Sequence, residues 1–198
     1  MQFGSSQLMT PRKRNTGEEA LPHSTRQVDL AGLRLLVDKQ SPAAELCEEL
    51  ARAFHVQPTE VALLRLEENA LRFVFPPELR EVGYIPLSSS AVAAHTAATK
   101  RVDLFNRFNR VKHASVFEGV KLRKADQDKE PLVPIQKLMS APVLDGEGNA
   151  LGVVQVSRKA SESCLAGPDF TREDLQQLEE AAKILAGMPS LWQPALTT

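Results

Sequence analysis

The side chains that could do chemistry here are four histidines, two cysteines and one basic segment rich in phenylalanine. His23, His55, His95 and His113 form no HxH or HxxxH pair and have no carboxylate at ligand spacing, so no metal site is predicted. His95 lies one turn after Val92 and can line a pocket, although a position on the helix surface is the plainer reading. Cys47 falls on an apolar helical stripe, where a thiol acts as a small core residue, and Cys164 lies in the loop before Gly167-Pro168. Redox catalysis needs a thiolate favoured by a cationic neighbour and a resolving partner, and no such pairing is visible. There is no GxSxG, no phosphate-cradling glycine loop and no spaced acidic pair. No catalytic residue is predicted, and the chain is read as a non-enzyme.

The basic segment carries Lys100, Arg101, Arg107, Arg110 and Lys112 against Asp103, with Phe105 and Phe108 interleaved. Such alternation can hold single-stranded nucleic acid. The favoured reading sends the phenylalanines into the core and leaves the charges solvated; a third option sets Arg107 or Arg110 against an anionic small molecule. The Arg12-Lys13-Arg14 triplet is read as part of a solvated tail, because three charges give little affinity at physiological salt.

The elements that must position these groups follow from capping and periodicity. Residues 1–27 mix Ser, Thr, Gly, Pro and charge without a helical or strand period and are predicted to be a disordered tail. Asp29 is assigned as the cap of a short helix carrying Leu30, Leu33 and Val37. Ser41-Pro42 opens a second helix, a serine cap with proline at the first helical position. Its Leu46, Cys47, Leu50 and Phe54 share a stripe while Glu45, Glu48, Glu49 and Arg52 face away, as on a helix lying on a sheet. Val61–Leu66 and Leu71–Phe75 read as a hairpin around Glu67-Glu68-Asn69, ended by Pro76-Pro77.

Residues 78–87 are a connector, followed by serines 88–90 and an alanine-rich helix over 91–99. Val102–Phe105 is predicted as a short strand, Val111–Phe117 as a helix, and 121–134 as a charged loop of the kind used as a lid or insertion. Ile135–Leu144 and Ala150–Ser157, joined by Asp145-Gly146-Glu147-Gly148-Asn149, predict a long hairpin. Thr171 and Asp174 form a capping box opening a helix with Leu175, Leu178, Ala182 and Leu185 at spacings of three and four. Pro189 stops that helix, and residues 189–198 are expected to trail.

Composition bounds what this arrangement can do. A chain of 198 residues suits one domain with tails, here 28–188. Lys plus Arg number 24 against 25 Asp plus Glu, a net charge of -1, which argues against nucleic-acid or membrane binding driven by bulk charge. A hydrophobic content of 42% supports a core, and no apolar run approaches the roughly 18 residues of a membrane span. The start lacks a secretory signal, so a soluble cytoplasmic protein is expected.

The stretch Ser140 to Val156 runs small-apolar-proline-apolar, turn, apolar-glycine-valine, and resembles the central hairpin of GAF domains. Asp169-Phe170-Thr171-Arg172-Glu173-Asp174-Leu175 is similar to the start of that family's last helix, and the likeness extends loosely over residues 30–188. The resemblance implies a stand-alone bacterial GAF-domain protein with an α+β fold. It implies an antiparallel sheet of about six strands, with terminal helices on one face and a ligand pocket among helices and loops on the other.

Some members of the family bind cyclic nucleotides through an asparagine-lysine, phenylalanine and aspartate-glutamate pattern. Lys159, Phe170 and Asp174 fit its spacing, but Arg158 replaces the asparagine and Leu175 the glutamate. A Lys159–Asp174 ion pair is the expected structural use of those positions, and cyclic nucleotide is a weak ligand candidate. The cysteine-histidine attachment of a bilin is not matched, so a bilin is not expected. A thiol enzyme of the free methionine sulfoxide reductase type ranks last.

The pocket implied by the resemblance draws on Phe105, Asn106, Arg110, Phe117, Met139, Ser140 and Gln155. Ser140 and Gln155 stand out as polar residues in apolar strands, since a buried polar side chain needs a partner that a ligand can supply. The expected function is sensory. A small molecule orders the 121–134 loop and the 105–117 segment and alters terminal-helix packing. Leu175, Leu178, Ala182 and Leu185 are expected to form a homodimer seam, or else to cover the sheet of their own chain. The alternative function is an interaction or dimerisation module with a filled pocket; the output would pass to a separate signalling protein.

Overall fold

The computed structural model describes residues 28–80, 83–108 and 133–193. In chain order they form α1 (Ala31–Asp38), α2 (Ala43–Phe54), β1 (Val61–Glu67), β2 (Ala70–Phe75), β3 (Tyr84–Pro86), α3 (Val92–Thr99), β4 (Asp103–Phe105), β5 (Ile135–Leu144), β6 (Ala150–Lys159), α4 (Arg172–Ala186) and α5 (Pro189–Trp192). The strands make one six-stranded sheet in the order β3-β2-β1-β6-β5-β4, antiparallel throughout. The predicted N-terminal tail, the 111–117 helix and all but the end of the 121–134 loop lie outside the described residues.

The β5–β6 hairpin is the centre of this sheet. Asp145 holds its turn: one carboxylate oxygen accepts from the backbone N–H groups of Glu147 (2.9 Å) and Asn149 (2.8 Å), and Gly148 supplies the positive φ of +81°. These bonds, that from Asn149 first, hold the Asp145 carboxyl below its usual range.

Strand alternation then divides the core. Val61, Leu63, Met139, Ala141, Val143, Val154 and Val156 pack against α1, α2, α4 and α5. On the other face Ala62, Leu64, Leu71, Phe73 and Val153 meet the alanines of α3. The terminal helices thus share one face and α3 covers the other, in the α+β arrangement expected.

Local signals account for the helix ends. Thr171 Oγ1 accepts from the Asp174 N–H and the Asp174 carboxylate accepts from the Thr171 N–H, closing the predicted capping box. At α1 Leu30, not Asp29 as expected, holds the cap position and no side chain caps the helix; Asp29 accepts from the Ala31 N–H at 2.9 Å, one residue further out. At α2 the start falls one residue later than the Ser41-Pro42 pattern suggests: Pro42 occupies the cap position, Ser41 is buried, and no side chain caps the helix.

Three further expectations need correction. The 78–87 connector contains β3, a three-residue edge strand paired with β2, too short to show a period. Residues 189–193 do not trail: α5 returns to the sheet, burying Leu191 and Trp192, and Trp192 Nε1 donates to the Leu185 carbonyl at 3.0 Å. Leu178, Ala182 and Leu185 are buried against the sheet of their own chain, with Leu175 packed at their margin. Lys159 Nζ donates to the Thr59 carbonyl at 2.7 Å while Asp174 serves the cap. The ion pair that ties the sheet to the segment before α4 comes instead from Lys137, buried in β5, to Asp169 at 2.7 Å.

Candidate functional site

Three residues on neighbouring strands form a polar row under α3. Register pairs Asp103 of β4 with Ser140 of β5, and Ser140 with Gln155 of β6. Ala93, Ala94 and Ala97 of α3 are small and buried, which lets the helix approach the sheet closely enough for side chains to meet. Thr96 then reaches both Ser140 (2.8 Å) and Asp103 Oδ2 (2.9 Å), and Gln155 Nε2 donates to Ser140 Oγ at 3.1 Å.

Proton counting fixes the direction of this chain. A carboxylate only accepts, so the single hydroxyl proton of Thr96 goes to Asp103, and Ser140 must donate to Thr96 while it accepts from Gln155. Every donor points toward Asp103. His95 Nδ1 meets the same carboxylate oxygen at 3.1 Å and must therefore carry its proton on that nitrogen. Its Nε2 has no partner among the described residues, and the ring is 59% exposed.

The row ends at a cavity of 80 Å³ lined by Ser90, Val92, His95, Asp103 and Phe105. That is room for about two or three waters or one small functional group. Phe105 forms one wall and is held edge-on by Phe108, with ring centroids 6.0 Å apart and planes at 69°. Thr96, Ser140 and Gln155 are buried and satisfy one another, so the chemically open end is the imidazole of His95 with the hydroxyl of Ser90.

A family model for the GAF domain matches residues 38–187. The chain belongs to the GAF domain family. Solved structures agree on the fold of this GAF domain. The GAF domain of a Coxiella burnetii phosphoenolpyruvate-protein phosphotransferase superposes with a TM-score of 0.58 at 11% identity, over 84% of this chain and 95% of that one. The corresponding Acinetobacter domain gives 0.57 at 15% identity, covering 81% and 92%. A type II free methionine-R-sulfoxide reductase from Thermoplasma acidophilum gives 0.50 at 16% identity, covering 81% and 96%. At such identities the likeness carries the fold alone. A comparison with the curated proteins found no match.

Within this GAF domain the sequence-predicted pocket residues separate. Ser140, Gln155 and Phe105 come together at the α3 face. Met139 does not: it points into the terminal-helix core, since neighbours along a strand face opposite ways. Asn106 is spent on backbone, donating through Nδ2 to the Phe170 carbonyl (2.8 Å) and accepting the Phe170 N–H (2.9 Å). Arg110 and Phe117 lie outside the described residues. Asp103 and Thr96 were missed. A threonine on an alanine helix and an aspartate entering a short strand look ordinary until the register joins them.

The motif positions resembling cyclic-nucleotide binders also have local duties. The Arg158 guanidinium donates to the carbonyls of His55 (3.2 Å) and Phe54 (3.4 Å) at the end of α2 and lies 4.7 Å from the Phe170 ring. Cys47 is wholly buried, and burial, with the Glu48 charge adding, pushes its thiol far above the usual range. Cys164 is exposed beside Glu162. Among the described residues no group of three or more His, Cys, Asp or Glu is placed to hold a metal, and no helix is long and apolar enough to cross a membrane.

Proposed function

We propose that this GAF domain is a non-catalytic sensory module that binds a small polar molecule at the cavity between α3 and β4. The observation that carries the reading is the set of hydrogen bonds that converges on Asp103, from Gln155 through Ser140 and Thr96 on one side and from His95 Nδ1 on the other. It orients the imidazole through Nδ1 and leaves Nε2 to accept a hydrogen bond from a ligand N–H or O–H.

β5 supplies the route to the rest of the molecule. Ser140 belongs to the cavity row, while Met139 and Ala141 on either side of it pack against the terminal-helix core. A ligand that favours one position of β5 therefore biases the seating of α4 as well, a population shift rather than a new contact. One observation favours the competing reading, an interaction module with a filled pocket: 80 Å³ is small. Thiol chemistry of the methionine sulfoxide reductase type finds less support, because the Cys47 thiol is buried with a raised pKa, which makes it a poor nucleophile, and the exposed Cys164 stands beside the Glu162 carboxylate rather than a cation.

A thermal-shift screen of the full chain against amino acids, cyclic nucleotides, haem and bilins tests the sensory reading, with His95→Ala run in parallel. One class is expected to raise the melting temperature saturably in the parent and not in the variant. A rise of equal size in His95→Ala would move the ligand elsewhere, and no rise with any class would favour the interaction module.

A further inference from the structure

On the opposite, terminal-helix side of the sheet, Arg65 of β1, Arg72 of β2 and Arg80 face one groove of 510 Å³. Two of these arginines share a single carboxylate. Glu67 receives Arg65, and it receives Arg72 Nε at 2.7 Å. Arg65 also donates to the Gln193 carbonyl at 2.7 Å, and Arg80 uses Nε on the Val74 carbonyl at 2.8 Å. Arg80 meets no carboxylate among the described residues, and both its Nη groups remain unpartnered there. The cluster thus keeps a surplus of two positive charges, with the outer donors of Arg72 and Arg80 unspent.

The surroundings suit an anion with an organic body. Ala43, the first residue of α2, lines the groove, and that twelve-residue helix has no side-chain cap, so its positive end adds to the arginine field. Pro42, Val74 and Leu191 supply apolar wall. The volume far exceeds what a bare oxyanion needs. By contrast, a 410 Å³ groove on the other side of α4 carries Lys100, Arg101 and Lys183, but Glu179 stands in its wall and Lys183 is already paired with Glu180 at 2.7 Å. Guanidinium forks match phosphate oxygens two at a time, whereas ammonium groups act as point charges.

We propose that the Arg65–Arg72–Arg80 groove is a second ligand site, separate from the α3–β4 cavity, and that it takes a soluble phosphate monoester with an apolar or aromatic body. The phosphate sits between Arg72 and Arg80, and the body lies on Pro42, Val74 and Leu191. Because the groove is walled by the α1–α2 connection, by β1 and β2, and by α5, an occupant ties both terminal segments to the sheet.

Isothermal titration of the full chain at fixed ionic strength tests this, with phenyl phosphate, inorganic phosphate and phenol as probes. Phenyl phosphate is expected to bind saturably and more tightly than inorganic phosphate, with no binding of phenol. Arg80→Gln and Arg72→Gln are each expected to weaken phenyl phosphate by about tenfold or more, the loss of one charge-assisted contact. Lys183→Gln, in the lysine groove, is expected to leave it unchanged, and circular dichroism checks that every variant folds. Absence of saturable binding to either phosphate up to about 10 mM, some -2.7 kcal/mol on the affinity scale, would overturn the proposal. So would equal weakening by Lys183→Gln and Arg80→Gln, the mark of diffuse charge attraction.

Discussion

Thr96 is the residue on which the candidate site turns, because its one hydroxyl both donates to Asp103 and accepts from Ser140. Thr96→Val keeps the shape and removes both bonds. The expected cost is about 1–3 kcal/mol in urea unfolding, the usual penalty for stranding buried polar partners. The Asp145 turn gives a residue-scale test of a different kind. Its carboxyl is held below the usual range by backbone bonds, so its stabilising contribution is complete above the unfolded-state pKa and is lost as pH falls through the lower folded-state value. The stability gap between the parent and Asp145→Ala should therefore be widest near neutrality and close in acid, which urea titrations across pH will measure. Ser140 and Gln155 were legible from sequence as polar residues in apolar strands. Their partners were not, because Thr96 and Asp103 join them only through a register that depends on residues far apart in the chain. Met139 shows a signal left unused: alternation forbids it from sharing a face with Ser140.

At the scale of elements, α5 and β6 meet where a side chain would not fit. A Cβ on Gly152 would lie 2.1 Å from the Leu64 carbonyl oxygen and 2.6 Å from the Trp192 ring. Gly152→Ala should destabilise by about 1–3 kcal/mol or more, since the obstructing atom is backbone and cannot swing away. Trp192→Ala should cost about 3–5 kcal/mol, as for other large-to-small core changes, and a matching drop in the unfolding midpoint would show that α5 belongs to the core. Thr171→Ala, which opens the cap of α4, should cost about 1 kcal/mol. Long periodic or capped elements were readable: the β5–β6 hairpin, the α2 stripe and the α4 capping box appear where the sequence puts them. Three-residue β3 and four-residue α5 are shorter than any period that could announce them, and tertiary packing decides both.

For the whole molecule, the sheet separates the two proposed ligand sites: the His95 cavity under α3, and the arginine groove beside the terminal helices. β5 and β6 contribute residues to both core faces, which is the packing route the proposed sensory function uses. The hydrogen-bond chain ending at Asp103 sets the His95 imidazole with its proton on Nδ1 and its Nε2 outward. Long-range proton–nitrogen NMR of the histidine rings in the full chain, at mildly alkaline pH and with His95→Ala to assign the signals, tests this most directly. The Nδ1–H tautomer is expected for His95 in the parent, with that preference lost in Thr96→Val. A His95 ring protonated on Nε2, or averaging freely between tautomers in the parent protein, would contradict it.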